Sequence, residues 1–378
     1  MSGRPTWAEI DLDALTRNYR TLASLLRGRS RLIPVVKADA YGHGAASVSM
    51  ALARAGTTAF AVALVEEGIA LRDAGISGEI LVLEGAFPGQ EDEVVSRAFT
   101  ATVFSPDMVR RLEKAASSRS VQVSAHIKID TGMNRLGASW HSLASLLEAL
   151  RDAAHIRVTG TFSHLACAEE EDREFTLEQI RRFRQGLGRI REAGIDPGEI
   201  HLANSAGLLY WEELRGWTAR PGIALYGYPP SPERCPAELR PVLTFKSRVA
   251  RIQTISAGES VGYNRRFIAR RKTDVATVPV GYADGYRRSL GGKAKVIVKG
   301  RCAEVLGTIS MDMITVDVTE VPDARVGDEV ILLGSSANCR VDAASWADAL
   351  GTIPYEILCG ISPRVPRIPI HLPSADCG

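Results

Sequence analysis

Residues 156–164, "IRVTGTFSH", followed at 175–194 by "FTLEQIRRFRQGLGRIREAG", decide how this chain is read. The first is a short apolar run of strand type. The second is a longer segment of helical period, closed by Gly194 where a C-terminal glycine sits. The same pairing recurs on either side of it. "LIPVV" (32–36) precedes "ASVSMALARAG" (46–56), "FAVAL" (60–64) precedes "EEGIALRDAG" (66–75), and "EILVLEG" (79–85) and "VQVSAHIKID" (121–130) follow. Gly56 and Gly75 end their segments as Gly194 does. This is the rhythm of a parallel sheet, and seven or eight such units before residue 240 suit a closed (β/α)8 barrel of the TIM type better than an open sheet. After the proline-rich "YGYPPSPERCP" (226–236) the rhythm changes. Strand-like pieces ("LTFKSRVARIQTI", "DVATVPVGYA", "AKVIVKG", "CAEVLGTIS", "MITVDVT", "DEVILLG") now follow one another closely, and only "VDAASWADALG" looks helical. The expected fold is therefore α/β, with a barrel over residues 1–235 and a mostly β domain over 236–378.

Composition narrows the function. The 378 residues are 45% hydrophobic and 24% charged, the balance of a globular protein long enough for about two domains. Forty-six basic against 44 acidic residues leave a net charge of +2, so no overall field favours nucleic acid or an anionic membrane. The first thirty residues carry charges throughout, and no apolar run approaches the roughly 18 residues of a membrane span, so a soluble, unexported, cytoplasmic protein is expected. The six cysteines (Cys167, Cys235, Cys302, Cys339, Cys359, Cys377) form no CxxC pair and no metal-like cluster with the seven histidines, and reduced thiols are expected. GxGxxG before a helix, GxxxxGK[ST] and HExxH are absent. "GGKAKVIVKGR" is basic without interleaved aromatics and reads as a solvated hairpin.

In a (β/α)8 barrel the chemistry sits where strands end, and those positions here carry polar groups. Lys37 ends "IPVV", Lys128, Asp130 and Arg135 end "KIDTGMNR", His164 follows "VTGTF", Asn204 and Ser205 follow "EIHLA", and Arg220 precedes "PGIALYG". Five strand ends converging with two lysines, two arginines, a histidine and a hydroxyl resemble a site for an anionic ligand. Each has a plainer reading. A lone lysine is usually a solvated group, a lone histidine is more often structural than catalytic, "ANSAG" can be a helix N-cap, and "RPGIALYG" can be an ordinary turn and strand. The sequel to Lys37, "ADAYGHG", shifts the balance, because a hydroxyl, an imidazole and two glycines suit a loop closing over a ligand.

Ten blocks, from residue 7 to residue 367, resemble those of the bacterial alanine racemases, pyridoxal-phosphate enzymes of fold type III, in the family's order. They are "WAEIDLDAL", "VVKADAYGHG", "KIDTGMNRLG", "SHLACAEE", "ANSAG", "RPGIALYG", "VGYNRRF", "VPVGYADGYRR", "GTISMDM" and "IPYEILCGISPRVPR". The resemblance implies a racemase that interconverts L- and D-alanine, supplies D-alanine for peptidoglycan, and works as a homodimer whose β domain completes the partner's active site. It makes Lys37 the lysine that binds pyridoxal 5'-phosphate and one catalytic base. Tyr263, supplied by the partner chain, is the second base on the opposite face. A free phenol has a pKa near 10, so its surroundings must assist, and the resemblance places His164 behind it and Arg220 behind His164. Arg220 is implied to face the pyridine nitrogen, where a guanidinium can only donate. Phosphate binding falls by resemblance to Tyr41, Ser205, the backbone N–H groups of Gly222 and Ile223, and Tyr355. Substrate carboxylate falls to Arg135 and the N–H of Met311, with Asp312 in the same block. Lys128 matches a position often carbamylated in the family. No metal is implied. Asp39 stands where Asn is also common and Ser310 where some members have Cys. Tyr282, Arg288 and Ile353 fall among entrance positions that separate alanine racemases from serine or broad-specificity relatives, an alternative that stays open. Two rivals are a pyridoxal-phosphate decarboxylase of basic amino acids and a non-catalytic pyridoxal-phosphate carrier. "RPGIALYG" with "VGYNRRF" argues against the first, and the complete β domain against the second.

Overall fold

The computed structural model describes residues 3–28, 30–337 and 339–371. Its described residues fall into two compact units, 15–40 with 45–240, and 3–14 with 41–44 and 241–371.

In the first unit, parallel pairings run without a break from residues 32–35 through Ala59–Val62, Glu79–Val82, Ala101–Val103, Val123–Asp130, Ile156–Phe162, Glu199–Ala203 and Thr218–Ala219. The bridge from Leu32 to Ala219 returns the ring to its start, so eight parallel strands close into a barrel. The "LIPVV" stretch joins only through isolated bridges, because Pro34 has no N–H to donate. The helices follow their sequence signals. Glu174–Glu192 buries Thr176, Ile180, Phe183, Leu187 and Ile190 along one stripe. Burial of each large apolar member contributes about 1.5–3 kcal/mol. Gly56, Gly75 and Gly194 follow their helices with φ of 100°, 88° and 76°, the left-handed conformation in which a glycine ends a helix.

Strand periodicity sorts the barrel wall. Ile129 points at Gly186 of the Glu174–Glu192 helix, so odd-numbered residues of Val123–Asp130 face outward and His126 and Lys128 face inward. Register carries that inner face around the wall, pairing His126 with Gly160, Lys128 with Phe162, Phe162 with His201, and His201 with Thr218.

The second unit is built on one sheet in the order Arg251–Ile255, Thr273–Val278, Ile314–Asp317, Arg301–Leu306, Lys295–Val298, Glu329–Ser336, Leu243–Arg248, Trp7–Asp11, Arg367–Ile370. All pairings are antiparallel except the last. The first strand, Trp7–Asp11, thus belongs to this sheet although the sequence places it ahead of the barrel. "VDAASWADALG" forms the helix Ala343–Leu350, capped by Asp342 and ended by Gly351 at φ 68°. A second short helix, Pro354–Cys359, follows it. The basic "GGKAKVIVKGR" stretch is the expected hairpin, turning at Lys299 and Gly300, both at positive φ.

The expectation of reduced cysteines fails at one pair. Cys302 and Cys339 are joined by a disulfide, with Cα atoms 5.7 Å apart. Thirty-seven residues separate them, so spacing gave no hint. They meet because Cys302 lies in Arg301–Leu306 and Cys339 in a strand folded back on Glu329–Ser336. Cys167 and Cys235 are free thiols.

Candidate active site

Lys37 stands at the end of the first barrel strand, and the chain then turns the wrong way. Ala38, Asp39, Ala40 and Tyr41 have φ of 51°, 52°, 54° and 54°, a left-handed turn made almost entirely of non-glycine residues. Each such residue costs about 1–2 kcal/mol, so the turn must be held. The Glu67 carboxylate holds it, accepting from Ala38 N at 2.7 Å while its other oxygen accepts from Ala63 N at 2.8 Å and Leu64 N at 3.2 Å. The Asp39 carboxylate accepts from Ala45 N at 2.7 Å.

Arg220 follows the last barrel strand and is buried. A guanidinium has five N–H donors and no acceptor. Nη1 donates to His201 Nδ1 at 2.8 Å and to His201 O at 2.9 Å, and Nη2 to Ser163 O at 2.7 Å and His164 Nδ1 at 3.4 Å. Four donors are therefore engaged by the barrel, and among the described residues only Nε–H has no acceptor. Burial lowers the arginine's pKa, yet its charge persists because it starts so high. The Phe162 ring lies 4.9 Å below the guanidinium and 5.5 Å from Lys128 Nζ. His164 is held well below its usual pKa, first by burial and then by Arg220, Arg135, Lys128 and Lys37, so it is neutral. With Nδ1 accepting from Arg220, its hydrogen sits on Nε2.

Lys128 Nζ donates to Leu83 O at 3.2 Å. Burial, then Arg220, Arg135 and Lys37, push it down to about 8 against the opposing pull of Glu84. Asp130 accepts from Gly132 N at 2.8 Å and Asn134 N at 3.2 Å, which shapes the loop that presents Arg135. Lys128, Arg135, Ser163 and His164 line one small hollow. Asn204 caps the helix Ser205–Tyr210, its side chain accepting from Gly207 N, so the plain reading of "ANSAG" holds. Ser205 Oγ accepts from Gly222 N at 3.0 Å and Ala224 N at 3.3 Å. "RPGIALYG" forms a 3-10 turn, Ile223–Tyr226, and no strand. Among the described residues no backbone acceptor serves the Ile223 N–H.

The remaining sequence-predicted residues lie in the second unit. The hairpin Ser260–Val261 with Phe267–Ile268 turns through Tyr263–Arg265 and is pinned by Val261 and Phe267 to a cluster of Ile255, Ala269, Val275 and Leu306. Pinning those two leaves the Tyr263 side chain 69% exposed. Met311 O accepts from Ala283 N at 3.0 Å and Ser310 O from Tyr282 N at 3.1 Å. Met311 N itself has no backbone acceptor among the described residues. Asp312 pairs with Arg364 at 2.8 Å. The Tyr41 and Tyr355 rings lie 5.9 Å apart. Gly42 must be glycine, since a Cβ there would come within 2.4 Å of Leu358 O at φ 81°. Tyr263, Tyr282, Met311 and Ile353 are all exposed.

Sequence models of the alanine racemase N-terminal domain and C-terminal domain match residues 10–230 and 242–369. The chain belongs to the alanine racemase family. It is 40% identical over 365 residues to an alanine racemase of Halothermothrix orenii, covering 96% of each chain. It is 42% identical over 374 residues to that of Geobacter sulfurreducens, covering 97% of this chain and 98% of the relative. Among solved structures, an alanine racemase of Clostridium difficile superposes with a TM-score of 0.92 at 37% identity, covering 98% and 97% of the two chains. That of Bacillus anthracis with bound L-Ala-P gives 0.92 at 34% identity, covering 97% and 95%. The members are isomerases that depend on pyridoxal 5'-phosphate, and the barrel mouth fits that group. Lys37 offers an amine, Arg220 a spare donor for a ring nitrogen, and Ser205 with the Ile223 N–H polar groups for a phosphate.

Three residues essential to this geometry had escaped the sequence reading: Glu67, Phe162 and His201. His201 shows a usable signal, because Glu199, His201 and Ala203 alternate with apolar neighbours and so share a face. Glu67 gave none, lying in the first turn of a short helix, Val65–Asp73, beside a second acid, Glu66.

Proposed function

We propose that this protein interconverts L-alanine and D-alanine by a two-base mechanism in a homodimer. The observation that carries the reading is Arg220, whose four engaged donors leave a single N–H to meet the cofactor's ring nitrogen. When bound, pyridoxal 5'-phosphate supplies the electron sink for a carbanion at the substrate α-carbon. Because Arg220 donates without releasing a proton, it leaves that ring nitrogen unprotonated, which moderates the sink and disfavours side reactions such as transamination.

Lys37 binds the cofactor at rest and moves a proton on one face of the α-carbon during turnover. Tyr263 of the partner subunit serves the other face. Its exposure on a pinned hairpin supports this role, since a racemase base must reach outward into a site it does not itself enclose. Neutral His164, with its hydrogen on Nε2, is equipped to donate to a phenolic oxygen and so to ease the tyrosine's deprotonation. Ser205, Tyr41, Tyr355 and the Ile223 amide hold the phosphate, joined by the Gly222 N–H when it turns from Ser205 Oγ, while Arg135 and the Met311 N–H hold the substrate carboxylate. Lys128 is carbamylated in this reading. Its pKa near 8 keeps a usable fraction as the neutral amine that reacts with CO2, and the resulting anion sits among Arg135 and Arg220.

The barrel unit, with Lys37 in residues 15–40, thus carries the cofactor, and the β unit, residues 3–14, 41–44 and 241–371, completes the partner's site. The exposed Tyr263, Tyr282, Met311 and Ile353 support burial against a second copy. Among the described residues no helix is long and apolar enough to cross a membrane. A cytoplasmic role in supplying D-alanine for peptidoglycan completes the reading, although a bridge such as Cys302–Cys339 is uncommon in that compartment. Proton NMR of L-alanine in D2O with the purified protein tests the assignment. Loss of the α-proton with D-alanine appearing is expected, and exchange with retained L configuration would refute the two-base account. If alanine does not exchange at all, serine becomes the substrate to try, and Tyr282, Arg288 and Ile353 the residues to vary.

A further inference from the structure

The interior of a TIM-type barrel is ordinarily filled by branched apolar side chains. Here a line of polar groups runs along it. His201 Nε2 lies 3.0 Å from His126 Nδ1, and His126 Nε2 lies 3.8 Å from Glu79 Oε1. Glu79 also pairs with Arg31 at 2.6 Å, and Arg31 with Glu199 at 2.7 Å. Both histidines are buried, and none of these groups beyond Arg220 has a role in the chemistry above.

The direction of every bond in the line follows from its first member. Arg220 can only donate, so His201 Nδ1 must accept and its hydrogen must sit on Nε2. That N–H donates to His126 Nδ1, which forces the second hydrogen onto His126 Nε2, facing the Glu79 carboxylate. We propose that His201 and His126 are positioning residues for the racemisation, a one-way chain of hydrogen bonds from Arg220 to His126, whose outer N–H faces the Glu79 carboxylate, that locks both imidazoles in the neutral Nε2–H tautomer. The other tautomer of His201 would set N–H against N–H and push the guanidinium off its seat. Protonation of either ring would do the same.

Independent features support the lock. Gly160 faces His126 on the neighbouring strand, and a Cβ there would fall 2.6 Å from Nε2, 2.7 Å from Cε1 and 2.8 Å from Cδ2. The wall has left out a side chain to seat this ring. Phe162 stacks on His201 with centroids 4.8 Å apart and planes 18° off parallel. Burial, followed by the nearby cations, holds both histidines neutral: His126 falls to about 4 despite Glu79 and Glu199, with Arg31 and Arg220 lowering it further. His201 falls well below its usual value under burial, Arg220, His126 and Arg31.

The proposal rests on the reading of Arg220 as the cofactor-facing residue, and the experiment separates the two. Long-range proton–nitrogen correlation on the 15N-histidine holoenzyme, assigned with His126→Asn, should show His201 and His126 as Nε2–H tautomers that do not titrate between about pH 5 and about pH 9. An Nδ1–H tautomer on either ring, or titration within that window, overturns the chain whatever Arg220 does. His126→Phe removes the acceptor and should lower kcat about tenfold or more, with KM for alanine within about twofold. His126→Asn, whose amide oxygen occupies the place of Nδ1, should recover most of that loss. Equal effects of Phe and Asn would leave only a packing role and overturn the proposal. Arg220→Lys tests the underlying reading instead, because unchanged absorption of the bound cofactor in that variant removes Arg220 from the ring nitrogen without touching the tautomers.

Discussion

Gly160→Ala is the smallest perturbation that tests how tightly this barrel is built. Gly160 sits at negative φ, so alanine meets no backbone objection and would by itself gain about 0.5–1 kcal/mol over glycine in a strand. The cost lies in the new methyl. Its carbon would stand 2.6–2.8 Å from three atoms of the His126 ring. Ordinary contact requires about 3.5–4.0 Å, so the ring must retreat by roughly 1 Å. The 3.0 Å bond between the histidines then stretches to about 4 Å, beyond hydrogen-bond range. Overpacking costs about 1–3 kcal/mol, and the orphaned, buried His201 N–H about another 1–3 kcal/mol. The net expectation is a loss of about 1–5.5 kcal/mol. Urea denaturation followed by tryptophan fluorescence reads it, since Trp140, Trp211 and Trp217 all belong to the barrel unit. Gly188→Ala is the control of opposite sign. That residue lies mid-helix with nothing within 4 Å of a Cβ, so alanine should stabilise by about 0.5–1 kcal/mol. If Gly160→Ala unfolds at the wild-type urea concentration, the reasoning about the inner wall is wrong.

The other expectations are independent of that network. Lys37→Ala should abolish both the colour of bound cofactor and activity, whereas Tyr263→Phe should keep the colour and lose racemisation; full turnover by either variant refutes its assigned role. Mixing the two inactive variants under exchange should restore about one quarter of wild-type activity, because half the dimers are then mixed and each holds one intact site; no recovery refutes the shared site. Breaking the Cys302–Cys339 bond, which spans 37 residues, should cost about 4 kcal/mol by loop-closure entropy, measured as the denaturation difference between wild type and Cys302→Ser without reductant. Unmodified Lys128 has its folded pKa lowered from 10.5 to about 8, so the unfolded chain binds more protons between those values. Stability of CO2-free protein should rise by about 3 kcal/mol as pH climbs through that window and stay low beneath it, and Lys128→Met should flatten the slope. A slope unchanged in Lys128→Met would assign it to another group.

Much of the site was legible because strand ends in a barrel are addressable from a linear pattern. Lys37, Lys128, His164, Ser205 and Arg220 each follow an apolar run, and the structure places each at or beside the end of an inner-wall strand. The left-handed turn after Lys37 was not legible. Ala38 and Ala40 are poor candidates for positive φ, and the Glu67 carboxylate that holds the Ala38 N–H lies 29 residues away. Nor could the strand Trp7–Asp11 be assigned to the β sheet, because its partners Leu243–Arg248 and Arg367–Ile370 lie more than two hundred residues away.

By itself, then, the sequence determined the alternation of strand and helix up to about residue 240, the run of strands after it, and which polar residues would stand at the strand ends. Those are properties of period, and period is local. Tertiary structure alone decided that eight strands close through Leu32 and Ala219, that Cys302 meets Cys339, and that Arg220, His201, His126 and Glu79 form one directed line. Each of these depends on register between distant strands, and register is set by how whole elements pack, which no window of the chain contains.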